Sequence, residues 1–148
     1  MGFQFDELVA ARRAAYTPDV HRATIAAWPE GKAIGPRKNG TYPAHLLERL
    51  PKDPALVVEE LQRRIEDQRG EVVKERQRYD DIRTRGHAAL SNYDIGIAHD
   101  DAADAVRCAL MLKDAHVSYA VSGLLKLRER LEEATATLER ERPQLALF

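Results

Sequence analysis

Between residues 99 and 141 the apolar side chains Val106, Leu110, Val117, Ala120, Leu124, Leu127, Leu131, Ala134 and Leu138 recur at 4-3 spacing, broken only at Lys113. A stripe of that period, kept over more than four heptads, places one apolar seam along a helix and demands a partner helix to cover it. No strand has that period, and a lone helix would leave the seam in water.

A partner stands upstream. Residues 54–90 carry Val58, Leu61, Ile65, Val72, Tyr79 and Ile82 on the same kind of spacing, with Gln68 and Glu75 interrupting it. Gly70 lies off this stripe and weakens the middle of the helix, and Gly86 marks an end or a kink. Between the two helices, Ser91-Asn92-Tyr93-Asp94-Ile95-Gly96 has the residue types of a turn. Two long helices on a short turn make an antiparallel hairpin. Its stripes either bury each other or are completed by a second copy in a four-helix bundle, and homodimerisation through them is the natural expectation. The last helix outruns its partner beyond Leu124 and forms a stalk.

The first third of the chain is built differently. Residues 5–16 read as a short helix with Leu8 and Val9 inward. Thr17 before Pro18 and Asp19 is an N-cap followed by proline at the first helical position, predicting a helix over 18–28 with Val20, Ile25 and Trp28 on its apolar side. Residues 29–41 are punctuated by Pro29, Gly31, Gly35, Pro36 and Gly40 and read as a loop. A further short helix over 43–50 brings Leu46, Leu47 and Leu50. The expected fold is all-α: a long antiparallel, coiled-coil-like hairpin (54–142), a small N-terminal helical region (1–53) and a flexible C-terminal tail (143–148).

Composition narrows the function classes. Of 148 residues, 32% are charged and 44% hydrophobic, while the formal net charge is −1, so no global field favours nucleic acid. The one cysteine, Cys108, cannot form a disulfide framework and reads as a small buried hydrophobe in a reducing compartment. No apolar run approaches membrane-spanning length and the start of the chain lacks a secretory pattern. A cytoplasmic protein without a membrane partner is expected.

Catalytic patterns are weak. Asp94, His99, Asp100, Asp101 and Asp104 form the densest acidic cluster, and Asp100 and Asp104 share a helix face. With Glu59 and Glu60 they suggest a helical metal-dependent nucleotide hydrolase. However, the spacing misses the paired-carboxylate signatures of helical pyrophosphohydrolases, and acids at a helix start also suit the macrodipole. None of His21, His45, His87, His99 and His116 has helical metal-ligand spacing. Phosphate-loop and nucleophile-elbow motifs are missing. The reading is therefore non-enzymatic and without a cofactor. Lys32, Arg37 and Lys38 give the 29–41 loop a positive charge, with Trp28 and Tyr42 near enough in sequence to stack on bases and Arg12, Arg13 and Arg22 as further cations. That is a candidate DNA contact, set against an ordinary solvated loop.

The tail is more specific. Gln144, Leu145, Leu147 and Phe148 read as Gln-Leu-x-Leu-Phe, with Ala146 at the variable position. This resembles the peptide by which bacterial polymerases and repair proteins dock on the β sliding clamp, often from a C-terminal position behind a tether. The glutamine amide both donates and accepts hydrogen bonds, and the three apolar residues are anchors. Three such anchors, less the cost of ordering the tail, would give about −8 kcal/mol, or micromolar binding. Pro143 is expected to free the tail from the preceding helix. The resemblance implies an accessory protein of DNA replication, repair or a mobile element, acting as recruiter or as clamp blocker. The alternatives are a self-associating coiled-coil protein whose tail is packing, and the hydrolase above.

Overall fold

A computed structural model describes residues 7, 8, 10, 11, 14–92 and 100–146, with side chains given for all of these except 92, 100–102 and 143–146. The described residues are helical without a strand: α1 (Pro18–Ala26), a 3-10 turn (Ala44–Leu47), α2 (Pro54–Asn92) and α3 (Asp100–Ala146). Residues 7, 8, 10, 11, 14 and 15 also have helical backbone. The two long helices pack against each other as the stripes require. Leu61, Val117 and Leu127 are fully buried, so at these positions the stripes are covered within the chain.

Contacts divide the chain into two compact units, and both long helices pass through each. The first unit comprises Met1–Ala33 and Arg78–Lys113. Its core contains Tyr16, Trp28, Tyr79, Leu90, Ala103 and Leu110. Thr17 caps α1, its side chain accepting from Val20 N at 3.3 Å, with Pro18 at the first position. Tyr16 Oη and His21 Nδ1 lie 3.0 Å apart, a buried pair. Trp28 follows the end of α1 and reaches α2, donating from Nε1 to Arg83 O at 3.1 Å.

Gly86 is not an end, because α2 continues to Asn92. A Cβ here would come within 2.5 Å of Val106 Cγ1 and 2.9 Å of Trp28 Cζ2. Close approach is what this glycine permits. Cys108 is exposed, not buried. It points away from the seam that carries Leu110 and Val117, which its apolar neighbours in sequence did not reveal.

The second unit comprises Ile34–Gln77 and Asp114–Phe148. Here Val57, Leu61, Ile65 and Val72 of α2 and Val117, Leu124, Leu127 and Ala134 of α3 form the core. The stripe begins at Val57; Val58 is only half-buried. The predicted helix over 43–50 shrinks to the 3-10 turn, closed by Arg49 in the left-handed region at φ 55°. α3 runs through Pro143 to Ala146, where an end had been expected. The predicted turn is outside the described residues from Tyr93 onward, as are Leu147 and Phe148.

Candidate functional site

The irregular stretch 34–50 is strapped to the helices of the second unit. Arg64, only 16% exposed in its side chain, gathers the end of the 3-10 turn. Its Nη1 donates to Leu46 O at 2.8 Å and Glu48 O at 2.7 Å, and its Nη2 to Arg49 O at 3.4 Å. Glu60 Oε1 neutralises it at 2.8 Å from Nε. Hydrogen bonds from Arg63, then Arg64, hold the Glu60 carboxyl at about 2, well below its ordinary value of 4.5. Glu60 thus has a structural partner set, and the Glu59-Glu60 pair is not an open carboxylate pair.

Further along the strap, Arg37 N donates to Ser122 Oγ at 2.7 Å and its guanidinium lies 5.4 Å from the Tyr119 ring centroid. Lys126 Nζ lies 5.4 Å from the Tyr42 centroid. Gly123 lets Pro43 and Leu46 lie against α3: a Cβ would stand 2.7 Å from Leu46 Cδ1.

These contacts redefine the proposed DNA loop. Arg37 is engaged with α3, Lys38 is exposed, and Lys32 falls in the first unit. Trp28 is 8% exposed and hydrogen-bonded, which removes it as a base-stacking platform, and Tyr42 is half-buried beside Lys126. Arg22 pairs with Asp19. Arg12 and Arg13 lie outside the described residues. The acidic cluster is largely outside them as well: Asp94, His99 and the side chains of Asp100 and Asp101 are not described, while Asp104 pairs with Arg107 at 3.3 Å. Among the described residues no three His, Cys, Asp or Glu side chains converge as a metal site requires. Of the tail, the backbone of Gln144 and Leu145 is helical, and their side chains are outside the description.

A site that the residue patterns did not single out lies where the stripes turn polar. The two interruptions in α2, Gln68 and Glu75, open with Glu71 onto a groove of about 390 Å³. His116 and Tyr119 of α3 and Pro43 and His45 of the strap complete it. Gln68 is 7% exposed and its Nε2 donates to Ala120 O at 2.9 Å, joining the two helices. Glu75 Oε2 lies 4.0 Å from His116 Nδ1. The one sequence signal for this groove was the pair of stripe breaks, because a polar residue in a buried seam is costly unless something pairs with it.

No protein-family model, curated protein or solved structure matches the chain. Among the described residues no helix is long and apolar enough to cross a membrane.

Proposed function

We propose that this chain is a non-enzymatic adaptor of bacterial DNA replication, repair or a mobile element, tethered to the β sliding clamp by Gln144, Leu145, Leu147 and Phe148. The observation that carries the reading is the Gln-Leu-x-Leu-Phe sequence itself, four specified positions in order. The helical backbone beneath it adds a physical argument. Pro143 lies inside α3, where it has no amide hydrogen to donate to Glu139 O. The helix is therefore held there by one backbone hydrogen bond fewer. Unwinding the turn beyond Pro143 to lay an extended peptide into a pocket then takes less work. The helical body then serves as the second arm of a recruiter, or as bulk in a blocker.

Titration of the full chain into a bacterial β clamp by calorimetry tests this, with Leu147→Ala/Phe148→Ala as control. Micromolar binding that vanishes in the double variant is expected; binding that is missing, or indifferent to the variant, removes the reading. A second reading, self-association, is favoured by Met111 and Leu112 of α3, which are 73% and 61% exposed. Sedimentation at increasing concentration distinguishes it, since an adaptor needs no dimer and a self-associating protein shows one.

A further inference from the structure

A second, smaller cavity of the second unit is lined by cations. Its volume is about 160 Å³, with Lys52 contributed by the segment before α2 and Arg130 by α3. Neither makes a hydrogen bond or an ion pair among the described residues. Arg130 is half-buried, so its charge is drawn partly out of water with no counter-charge to offset that loss. No acidic side chain lines the cavity among the described residues. The neighbouring acids serve elsewhere. Asp53 Oδ1 accepts from Ala55 N at 3.2 Å, and Glu133 lines a separate groove with Arg140. Thr137 has no hydroxyl proton to offer, because it donates to Glu133 O at 3.0 Å.

The geometry points to a binding site for a phosphate dianion, free or as the terminal group of a small phosphomonoester. Like charge on two side chains repels a metal ion. A carboxylate can pair with Arg130 in a bidentate fork but brings one charge for two cations. A phosphate brings nearly two and has oxygens for both side chains. Arginine and lysine are each suited to it, the first as a planar fork and the second as a point charge. Volume agrees: about 160 Å³ holds about five waters at roughly 30 Å³ each, close to the heavy-atom count of phosphate.

The surroundings strengthen the pull. Val57 and Ala134, both buried, give the cavity an apolar side, where charges are screened less than in open water. Pro54 and Val57 belong to the first turn of α2, so the positive end of a 39-residue helix lies beside the two cations. Arg140 stands one contact away, its Nη2 donating to Thr137 Oγ1 at 3.1 Å. This inference does not rest on clamp docking and is tested without a clamp.

The experiment is an NMR titration of the full chain with inorganic phosphate at pH 7.5, followed on the backbone amides of residues 55–57 and 130–137. Sodium chloride holds the ionic strength constant, and dimethyl phosphate, a monoanion built on the same centre, is the comparison ligand. Saturable shifts with a dissociation constant of about 1 mM are expected for inorganic phosphate, and about tenfold weaker binding for dimethyl phosphate. Lys52→Gln and Arg130→Gln should each weaken phosphate binding about tenfold, the loss of one charge-assisted contact. Lys74→Gln removes the same charge from an exposed site without a partner, about 25 Å along α2 from Val57, and should leave the affinity unchanged. Because Lys52 is exposed, its variant retains the fold, which an unchanged spectrum elsewhere verifies. No saturable shift at the cavity, equal binding of dimethyl phosphate, unchanged affinity in Lys52→Gln, or an equal loss in Lys74→Gln would each overturn the assignment.

Discussion

The two units use the same pair of helices and hold them by different means. The first unit relies on an aromatic anchor: Trp28, buried after α1, packs at Gly86 and sends its one polar atom to Arg83 O. The second relies on polar straps. Arg64, Gln68 and Ser122 tie an irregular segment and two helices together through hydrogen bonds that span 15 to 85 positions of sequence. Apolar anchoring is tolerant of direction and loses its worth steeply when the anchor is truncated. Polar strapping is directional and leaves unsatisfied groups when one partner goes. The groove lined by Gln68, Glu75 and His116 lies in the second unit, among these directional contacts.

Trp28→Ala is the severest test of the contrast. Truncating a buried tryptophan costs about 3–5 kcal/mol. Hydrogen exchange should show protection lost over residues 78–92 and 103–113, with residues 57–72 and 117–134 the last to open. Simultaneous loss of protection in all these segments would mean that one cooperative block, and not two differently held units, unfolds.

Gly123→Ala probes the second unit in return. A methyl group would meet Leu46 Cδ1 at 2.7 Å, Pro43 Cδ at 3.0 Å and Gln68 Nε2 at 3.1 Å. Helix propensity favours alanine by about 1 kcal/mol, but overpacking of about 1–3 kcal/mol outweighs it and dislodges the strap first. Denaturant titration should show a lower midpoint, and signals from Leu46 and Gln68 should shift. A gain in stability would mean that the strap yields freely and that the groove is not preorganised.

These tests rest on features of uneven legibility. The helices were readable because their information is local: a 4-3 apolar period, and a threonine followed by proline at the start of α1. Gly86 and Gly123 were not, since a glycine's reason for being is whichever residue approaches it, here Trp28 or Leu46, far away in sequence. Cys108 was misjudged because apolar neighbours in sequence lie on other faces of a helix. The basic loop carried visible charge, yet Arg37 spends it on Tyr119. The groove left only a negative signal, the breaks at Gln68 and Glu75. Periodicity reports where burial is interrupted, and only tertiary contact shows what the interruption faces.

Gly70→Ala is a gentler control in α2. Beyond the adjoining backbone of α2 itself, no described atom lies within 4 Å of the added methyl, so the change acts on chain entropy and propensity. A gain of about 0.4–1 kcal/mol is expected by thermal unfolding. Set beside Gly123→Ala, it separates what a glycine costs a helix from what a glycine allows between helices. A loss of stability at Gly70 would show that this exposed face is in use.

The smallest expected effect concerns the strap's one displaced carboxyl. Hydrogen bonds from Arg63 and then Arg64 lower Glu60 from 4.5 to about 2. The folded state therefore binds this proton less readily than the unfolded chain, and the pair's contribution is fully present above pH 4.5. It fades as the pH falls from 4.5 toward about 2, where Glu60 is protonated in both states. Glu60 is 25% exposed in its side chain, so water and salt screen the interaction and the effect is modest. Subtracting the melting temperature of Glu60→Gln from that of the parent cancels the other carboxylates. The gap should be level above pH 4.5, close between there and pH 2, and narrow further when salt is added at neutral pH. A gap that persists unchanged into acid would place the strap's strength in the carbonyls of Leu46, Glu48 and Arg49 alone. Arg64 would then hold the turn as a hydrogen-bond donor whose charge needs no partner.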